Sequence, residues 1–221
     1  MYHHIGEDHS HSSLAVRPQS FERQFKWLQK KGFDFLSLDK VIQRSGWASW
    51  GERSVALTFD DGFRDNYENA FSLLLSHGKT AALFVVVDWV GQSGFLNWGE
   101  IRELSDAGIT IASHSLSHRW LPDLTDNAEL EREIFDSKKK IEDQTGREVH
   151  WFCYPVGGVD QRVSEYVKKA GYRAAWVAGG KPSYRIEDPL LCLRRVKISP
   201  SDSYLFRFAV KAYGVKNLLS P

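Results

Sequence analysis

Two adjacent carboxylates and a pair of spaced imidazoles carry the chemistry for which this chain is equipped. Asp60 and Asp61 follow Val55-Ala-Leu-Thr-Phe59, a run suited to a buried strand, and Gly62 comes directly after them. Holding carboxylates at the end of such a strand is costly without a partner, so a metal cation or a reacting substrate is expected there. The bland alternative is an Asp-Asp-Gly turn whose side chains cap the next helix. Gly62 permits a sharp turn and a close approach of the backbone to whatever is bound. The second group is Ser113-His-Ser-Leu-Ser-His118. Imidazoles four residues apart share a face if the chain turns helical after its strand, and neutral imidazole is a favoured zinc ligand. Position 115 is Ser, so the H-E-x-x-H helix of zinc proteases, with its glutamate base, is excluded. Alone, the two histidines read as loop residues with ordinary hydrogen bonds. Beside a strand-end Asp-Asp pair, a metal is the better reading.

The elements that must position these residues alternate along the chain. Strands are expected at Tyr2–Ile5, Phe33–Leu38, Val55–Asp60, Thr80–Val87, Ile109–Ser113, Val149–Tyr154, Tyr172–Val177 and Leu193–Ile198. Phe21, Phe25 and Leu28, spaced i, i+4, i+7, predict a helix ending near Gly32. A short helix follows Asp39, and Tyr67, Ala70, Phe71 and Leu74 line another that stops near Gly78. Asn97 with Glu100 predicts an N-cap for a helix running to Gly108. Further helices are expected around Leu130, Ile134 and Ile141, around Val163 and Val167, and around Leu205 and Phe208. A polar loop is expected between Ile5 and Pro18. Strand–helix repetition of this kind predicts a parallel α/β architecture, a (β/α) barrel or an incomplete one. An open doubly wound sheet is the second choice, but no Gly-rich dinucleotide fingerprint follows any strand. In a barrel the reactive groups gather at the carboxyl ends of strands, where Asp60-Asp61, His114, Tyr154-Pro155 and Tyr2-His3-His4 all fall.

Composition narrows the function. At 221 residues the chain is expected to be one domain spanning 1–221, with a core large enough to fold without staples. Lys+Arg 29 against Asp+Glu 28 leaves a net charge of +1, so no nucleic-acid footprint is present. The two cysteines, Cys153 and Cys192, make neither a disulfide framework nor a zinc-type spacing. No run of about 18 apolar residues predicts a membrane span. The start lacks a basic and an apolar signal region, so the chain as given is expected to be cytoplasmic, or extracytoplasmic if a targeting segment is missing from it. Oligomeric state is not legible.

Thr58-Phe-Asp-Asp-Gly62 followed by His114-Ser-Leu-Ser-His118 resembles the first two motifs of the polysaccharide deacetylase family, also called the NodB-homology or carbohydrate esterase family 4 domain. Tyr2-His-His-Ile5, Phe21 with its helix and Phe35-Leu-Ser-Leu-Asp39 resemble the branch that includes the poly-N-acetylglucosamine deacetylases. The resemblance covers nearly all of the chain. It implies an α/β fold, a distorted (β/α) barrel of about seven strands. It also implies a divalent metal, Zn2+ first with Co2+, Ni2+ or Mn2+ as alternatives, and an N-acetylated glycan or glycoconjugate as substrate. By the resemblance Asp61, His114 and His118 are the metal ligands and Asp60 the catalytic base. Three protein ligands leave a position open for water. The cation lowers the pKa of that water toward about 7 and polarises the acetyl carbonyl. Asp60 then takes the proton as the water attacks.

Three departures from the family pattern matter. Most members carry the general acid as a histidine in a late Leu-x-His motif, and no histidine follows His150 here. Tyr2-His3-His4 resembles the same strand moved to the front, which makes His3 the candidate acid, with His4 pointing away by strand alternation. The alternative is a His-rich tail formed by His3, His4, His9 and His11. In the third motif, Phe152-Cys-Tyr-Pro-Val-Gly157, Cys153 stands where many relatives have arginine and Val156 where they have tyrosine. Arg195 is the candidate cation to orient the base, with Arg194 as the alternative. Tyr154, Pro155 and Val156 are candidate substrate contacts, the Val156 N–H as an oxyanion donor. Trp176 resembles the hydrophobic wall around the acetyl methyl group, and barrel core would also explain it.

Other reactions fit less well. A glycosidase needs two carboxylates about 5 to 9.5 Å apart across one bond, which sequence neighbours are poorly placed to supply. A metal phosphoesterase would want more phosphate-facing cations than a +1 chain offers. A non-catalytic carbohydrate-binding barrel is the third alternative, and the presence of Asp60 ranks an enzyme above it.

Overall fold

A computed structural model of the chain describes residues 1–6, 13–43, 53–178 and 186–213. The strands are β1 His4–Ile5, β2 Ala15–Val16, β3 Asp34–Phe35, β4 Ser54–Val55 and β5 Thr58–Phe59. They continue as β6 Ala82–Val85, β7 Thr110–Ser113, β8 Trp151–Cys153, β9 Ala174–Val177 and β10 Leu193–Arg194. The helices begin with α1 Pro18–Lys30, α2 Leu38–Gln43, α3 Arg64–Asn66 and α4 Ser72–Ser76. They continue with α5 Trp98–Asp106, α6 Asn127–Glu131, α7 Ser137–Thr145, α8 Gln161–Lys169 and α9 Leu205–Ala212. Single π-helical turns, Tyr67–Phe71 and Arg132–Asp136, join α3 to α4 and α6 to α7. The polar loop expected before Pro18, with His9 and His11, lies partly outside the described residues.

The chain divides into two compact units: residues 1–59, 63–82 and 198–221, and residues 60–62 and 83–197. In the first, Tyr2 bridges Phe59 of β5 in parallel, and on the other side Ala82 donates to Leu57 O at 3.0 Å. Ile198 donates to Met1 O at 2.9 Å. Tyr2, Phe21, Phe25, Phe59 and Phe71 are buried, and the Tyr2 ring stacks on Phe59 at 5.5 Å. Pro18 opens α1 because a helix's first N–H has no intrahelical partner to lose. The expected strand Val55–Asp60 is two short pieces. Phe35 and Val55 pair in a separate small sheet, while Phe59 of β5 bridges Tyr2. Ser54 and Val55 pair with Asp34 and Phe35 of β3, whose flanking N–H groups donate to Arg53 O and Val55 O.

In the second unit the strand order is β10-β9-β8-β7-β6. β7, β8, β9 and β10 run parallel, with Phe152 opposite Ala175 and Leu193 opposite Trp176. Ala82–Val85 and Ala174–Val177 are buried at every position, as strands covered on both faces must be, which explains their unbroken apolar runs. Asn97 caps α5 through a capping box with Glu100, as expected. The expected last strand, Leu193–Ile198, pairs only over Leu193–Arg194, so Arg195 lies just past a strand end. Among the described residues no helix is long and apolar enough to cross a membrane.

Candidate active site

Phe59 ends β5, and the next three residues turn sharply into the second unit. Asp61 (φ 74°) and Gly62 (φ 86°) both take left-handed backbone. Asp tolerates that region better than most side chains, and Gly62 O accepts from Leu96 N–H at 3.0 Å. Asp60 and Asp61 are both buried. β7 delivers His114, whose N–H donates to Val85 O at 2.8 Å. The chain after it is not helical. Ser115 (φ 67°) and His118 (φ 63°) are left-handed instead, and the expected shared helix face is replaced by a tight irregular loop. Non-glycine residues in such conformations cost on the order of 1–3 kcal/mol each, and they persist where surrounding contacts over-determine them. Here Ser115 Oγ accepts from His118 N–H at 3.0 Å, and Ser113 Oγ from Ser115 N–H at 3.3 Å.

This loop brings Asp61, His114 and His118 together, with one ligand atom from each inside 4.8 Å of the others. Asp61 Oδ1 lies 3.4 Å from His114 Nε2 and 3.5 Å from His118 Nε2. His114 Nδ1 donates to Cys153 O at 2.7 Å, which fixes the tautomer and leaves the Nε2 lone pair facing Asp61. Burial pulls His114 down to about 3, against the opposing charge of Asp60, and burial also holds His118 below its ordinary value. Burial and then the neighbouring Asp60 charge push Asp61 up to about 7. Two neutral imidazoles therefore face a buried oxygen that has no hydrogen-bond partner. Lone pairs pointed at one another in a dry site are unfavourable, and a shared cation resolves the conflict. The residues present fit a divalent metal, with donors of the kinds zinc takes.

Asp60 is bound differently. Arg195 Nη1 and Nη2 donate to its two oxygens at 2.6 and 2.7 Å in a bidentate pair. Arg195 Nη2 also lies 2.8 Å from Cys153 Sγ, and the guanidinium sits 5.1 Å from the Phe84 ring centroid. Burial opposes the Arg195 charge, but Asp60 and the Cys153 sulfur outweigh it and raise the guanidinium above its ordinary value. A second potential ligand group, Asp60 with His114 and Cys153, also exists. It is the weaker one: both Asp60 oxygens are occupied, and burial pushes the Cys153 thiol well above its ordinary value.

The remaining candidates are distributed unevenly. Arg194 is exposed, while Arg195 makes the contacts just described. Tyr154 is buried and donates its hydroxyl to Leu191 O at 3.0 Å, so that side chain is committed to the fold. Pro155 is buried, whereas Val156 is 63% exposed in a left-handed conformation (φ 56°). Trp176 is buried between Phe84 at 5.7 Å and Trp151 at 5.9 Å. His3 belongs to the first unit and is buried there. In that unit His4 Nδ1 pairs with Asp65 Oδ2 at 2.9 Å, and its ring stacks on Phe63 at 3.5 Å. Two participants escaped the sequence reading. Trp89 packs its ring 4.9 Å from that of His118. Glu133 is a buried carboxylate bound to the loop between the two histidines. Its signal was available, since a glutamate three residues after Leu130 and beside Ile134 lies on the apolar stripe of its helix.

An α/β chain with this strand-end Asp/His cluster matches known proteins closely. A family profile described as polysaccharide deacetylase matches residues 49–175. YxkH of Bacillus subtilis (strain 168), which carries a provisional polysaccharide deacetylase name, is 30% identical over 204 residues, 92% of this chain and 71% of that protein. The poly-beta-1,6-N-acetyl-D-glucosamine N-deacetylase of Staphylococcus aureus (strain MRSA252) is 26% identical over 174 residues, 73% of this chain and 60% of the enzyme. Among solved structures, the Streptococcus pyogenes deacetylase PplD in complex with acetate superposes with a TM-score of 0.82 at 22% identity, over 94% of this chain and 95% of that one. The chain belongs to the polysaccharide deacetylase family. Its α/β, NodB-like fold is the one expected from the sequence.

Proposed function

We propose that this chain is a metal-dependent carbohydrate N-deacetylase that hydrolyses the acetamide of an N-acetylated amino sugar in a glycan. The observation that carries the reading is the unpartnered Asp61 Oδ1 facing two neutral imidazoles, one residue from a carboxylate locked to Arg195. Asp61, His114 and His118 would hold the cation, zinc first. A divalent cation bound there would acidify a water molecule and polarise the acetyl carbonyl. Asp60 takes the proton from the attacking water, its two oxygens aimed by the Arg195 fork. The Val156 N–H serves as oxyanion donor, a role that asks nothing of the side chain. Trp176, with Phe84 against it, supplies an apolar wall near Arg195. His3 donates the proton to the departing amine. The engagement of His4 with Asp65 favours that assignment over His4.

Family membership and the staphylococcal relative support β-1,6-linked N-acetylglucosamine polymer as the first substrate to try. The test is amine release from defined oligomers of that polymer and from chito-oligosaccharides by the zinc-loaded protein. Asp60→Asn is expected to lose activity by about 10²- to 10⁴-fold, the usual share of a general base, while still binding metal. Full activity in that variant would overturn the base assignment. His3→Ala should resemble it and His4→Ala should be mild, and the reverse order would move the acid to His4.

A further inference from the structure

Glu133 sits in the π-helical turn Arg132–Asp136, where one extra residue in the helical register turns both Glu133 and Ile134 into the interior. Such turns are rare and cluster at functional sites. Glu133 Oε2 accepts from the N–H groups of Leu116 and Ser117 at 3.1 and 2.9 Å, and Oε1 accepts from the Ser117 hydroxyl. The Glu133 backbone O shares the Leu116 N–H at 3.1 Å, so the contacts owed to the side chain alone are those to Ser117. Those two residues lie between the left-handed Ser115 and the left-handed His118. The same short stretch is held from its carbonyl side, because Val87 N–H donates to Ser115 O at 3.3 Å and Asp88 N–H to Leu116 O at 2.9 Å. Just beyond the π turn, Ser137 Oγ accepts from Ser113 Oγ at 2.9 Å. The bulged helix therefore grips the chain on both sides of His114: at Ser113 through Ser137, and at Leu116 and Ser117 through Glu133.

We infer that Glu133 is a positioning residue for the cation. Its carboxylate clamps the loop in the conformation that turns His118 Nε2 toward Asp61, so that its removal weakens metal binding without touching a ligand. This inference rests on the metal reading of the Asp61, His114 and His118 cluster. A glutamate serving only to satisfy buried N–H groups would contribute to stability alone. A positioning glutamate contributes to metal affinity, and supporting groups of this kind typically change it by about 10- to 100-fold.

The experiment is competition of the full chain with a chromophoric chelator for Co2+, run beside thermal melts of the metal-free protein. Glu133→Ala is expected to bind Co2+ about 10- to 100-fold more weakly than wild type. Glu133→Gln, which keeps a carbonyl acceptor for the two N–H groups, should recover most of that loss. Ser117→Ala deletes only the hydroxyl contact and should weaken binding by a few fold with an unchanged metal-free melt. It keeps the test open if Glu133→Ala does not fold. Wild-type Co2+ affinity in a folded Glu133→Ala, or in Ser117→Ala where Glu133→Ala does not fold, overturns the inference. So does a loss of affinity in Glu133→Ala that Gln fails to recover while both metal-free variants melt early. If wild type itself binds no Co2+, or His118→Ala binds it as well as wild type does, the metal reading fails first and the role of Glu133 falls with it.

Discussion

Asp60 has both carboxylate oxygens taken up by Arg195, at 2.6 and 2.7 Å, whereas Asp61, one residue on, turns a buried Oδ1 with no hydrogen-bond partner toward two imidazoles. The same side chain, in the same short segment, is saturated in one case and frustrated in the other. Buried polar groups are nearly always satisfied, and among the exceptions here Asp61 Oδ1 is set apart by the two imidazole nitrogens that face it at 3.4 and 3.5 Å. The saturated member is unsuited to bind a cation, because its charge is already neutralised and its lone pairs are directed. Each of its oxygens keeps a second lone pair beside the Arg195 bond, and that lone pair can accept a proton in an orientation fixed before substrate arrives. The difference in hydrogen bonding is the basis for the two proposed roles, and it can be broken experimentally from either side.

The largest expected effect after the loss of turnover in Asp60→Asn is on stability, and it has opposite signs at the two positions. In metal-free protein, Arg195→Met leaves Asp60 a buried carboxylate without its pair, which costs about 3–5 kcal/mol. The double variant Asp60→Asn/Arg195→Met should recover a large part of that cost, since the stranded charge is gone. Denaturant melts of the four proteins measure the coupling, and simple additivity would show that the pair is not a unit.

Asp61→Asn should leave the metal-free protein as stable as wild type or more so, because it removes a charge that burial opposes and Asn tolerates φ near 74° as Asp does. The pH dependence carries the sign. Asp61 is raised to about 7 when folded, so between an unfolded value near 4 and pH 7 the folded chain holds the extra proton. Its contribution to stability is present below about 4 and is lost as pH rises toward 7. Wild type without metal should thus lose stability over that interval, and Asp61→Asn should lose less. Equal slopes in the two proteins would remove Asp61 from the account. Loss of Co2+ binding in Asp61→Asn, with retention in Asp60→Asn, sharpens the same contrast.

Much of this arrangement was legible in the residues. Periodicity placed β6 through β9 and α5 because long apolar runs and a capping box carry strong local signals. The metal candidates were legible because Asp61, His114 and His118 are chemically conspicuous and fall after strands. What local sequence could not carry was loop geometry. A helical turn after Ser113 was the natural expectation for two histidines four apart. The structure reaches the same proximity through two left-handed residues that depend on Ser113, Ser115 and Glu133, the last of them 15 residues beyond His118. The split of Val55–Asp60 was hidden for a similar reason, since Val55 pairs with β3. Arg195 was reached by resemblance, but its contact with Cys153 belongs to tertiary structure. A small thiol at position 153 leaves room for a guanidinium arriving from the end of β10, a contact between residues more than forty positions apart.

The smallest expected effect concerns another buried carboxylate, Asp202, which serves as a control for the first two. Asp202 lies in the first unit, where Lys211 Nζ lies 2.6 Å and Ser199 Oγ 2.9 Å from its Oδ2. Burial would raise its carboxyl, but the hydrogen bonds from Lys211 and Ser199 outweigh that and hold it below the ordinary value. Like Asp60 it is paired with a cation, although only its Oδ2 is engaged and Oδ1 has no hydrogen-bond partner, and unlike Asp60 it is proposed to have no part in the reaction. Its depressed value means that its contribution is present above about pH 4 and is lost as pH falls through the folded value. Asp202→Asn should therefore lower the melting temperature by a few degrees at pH 7, by less at pH 3, and leave Co2+ affinity and turnover unchanged. If that substitution reduced turnover as Asp60→Asn does, pairing with a cation would be no mark of the catalytic base.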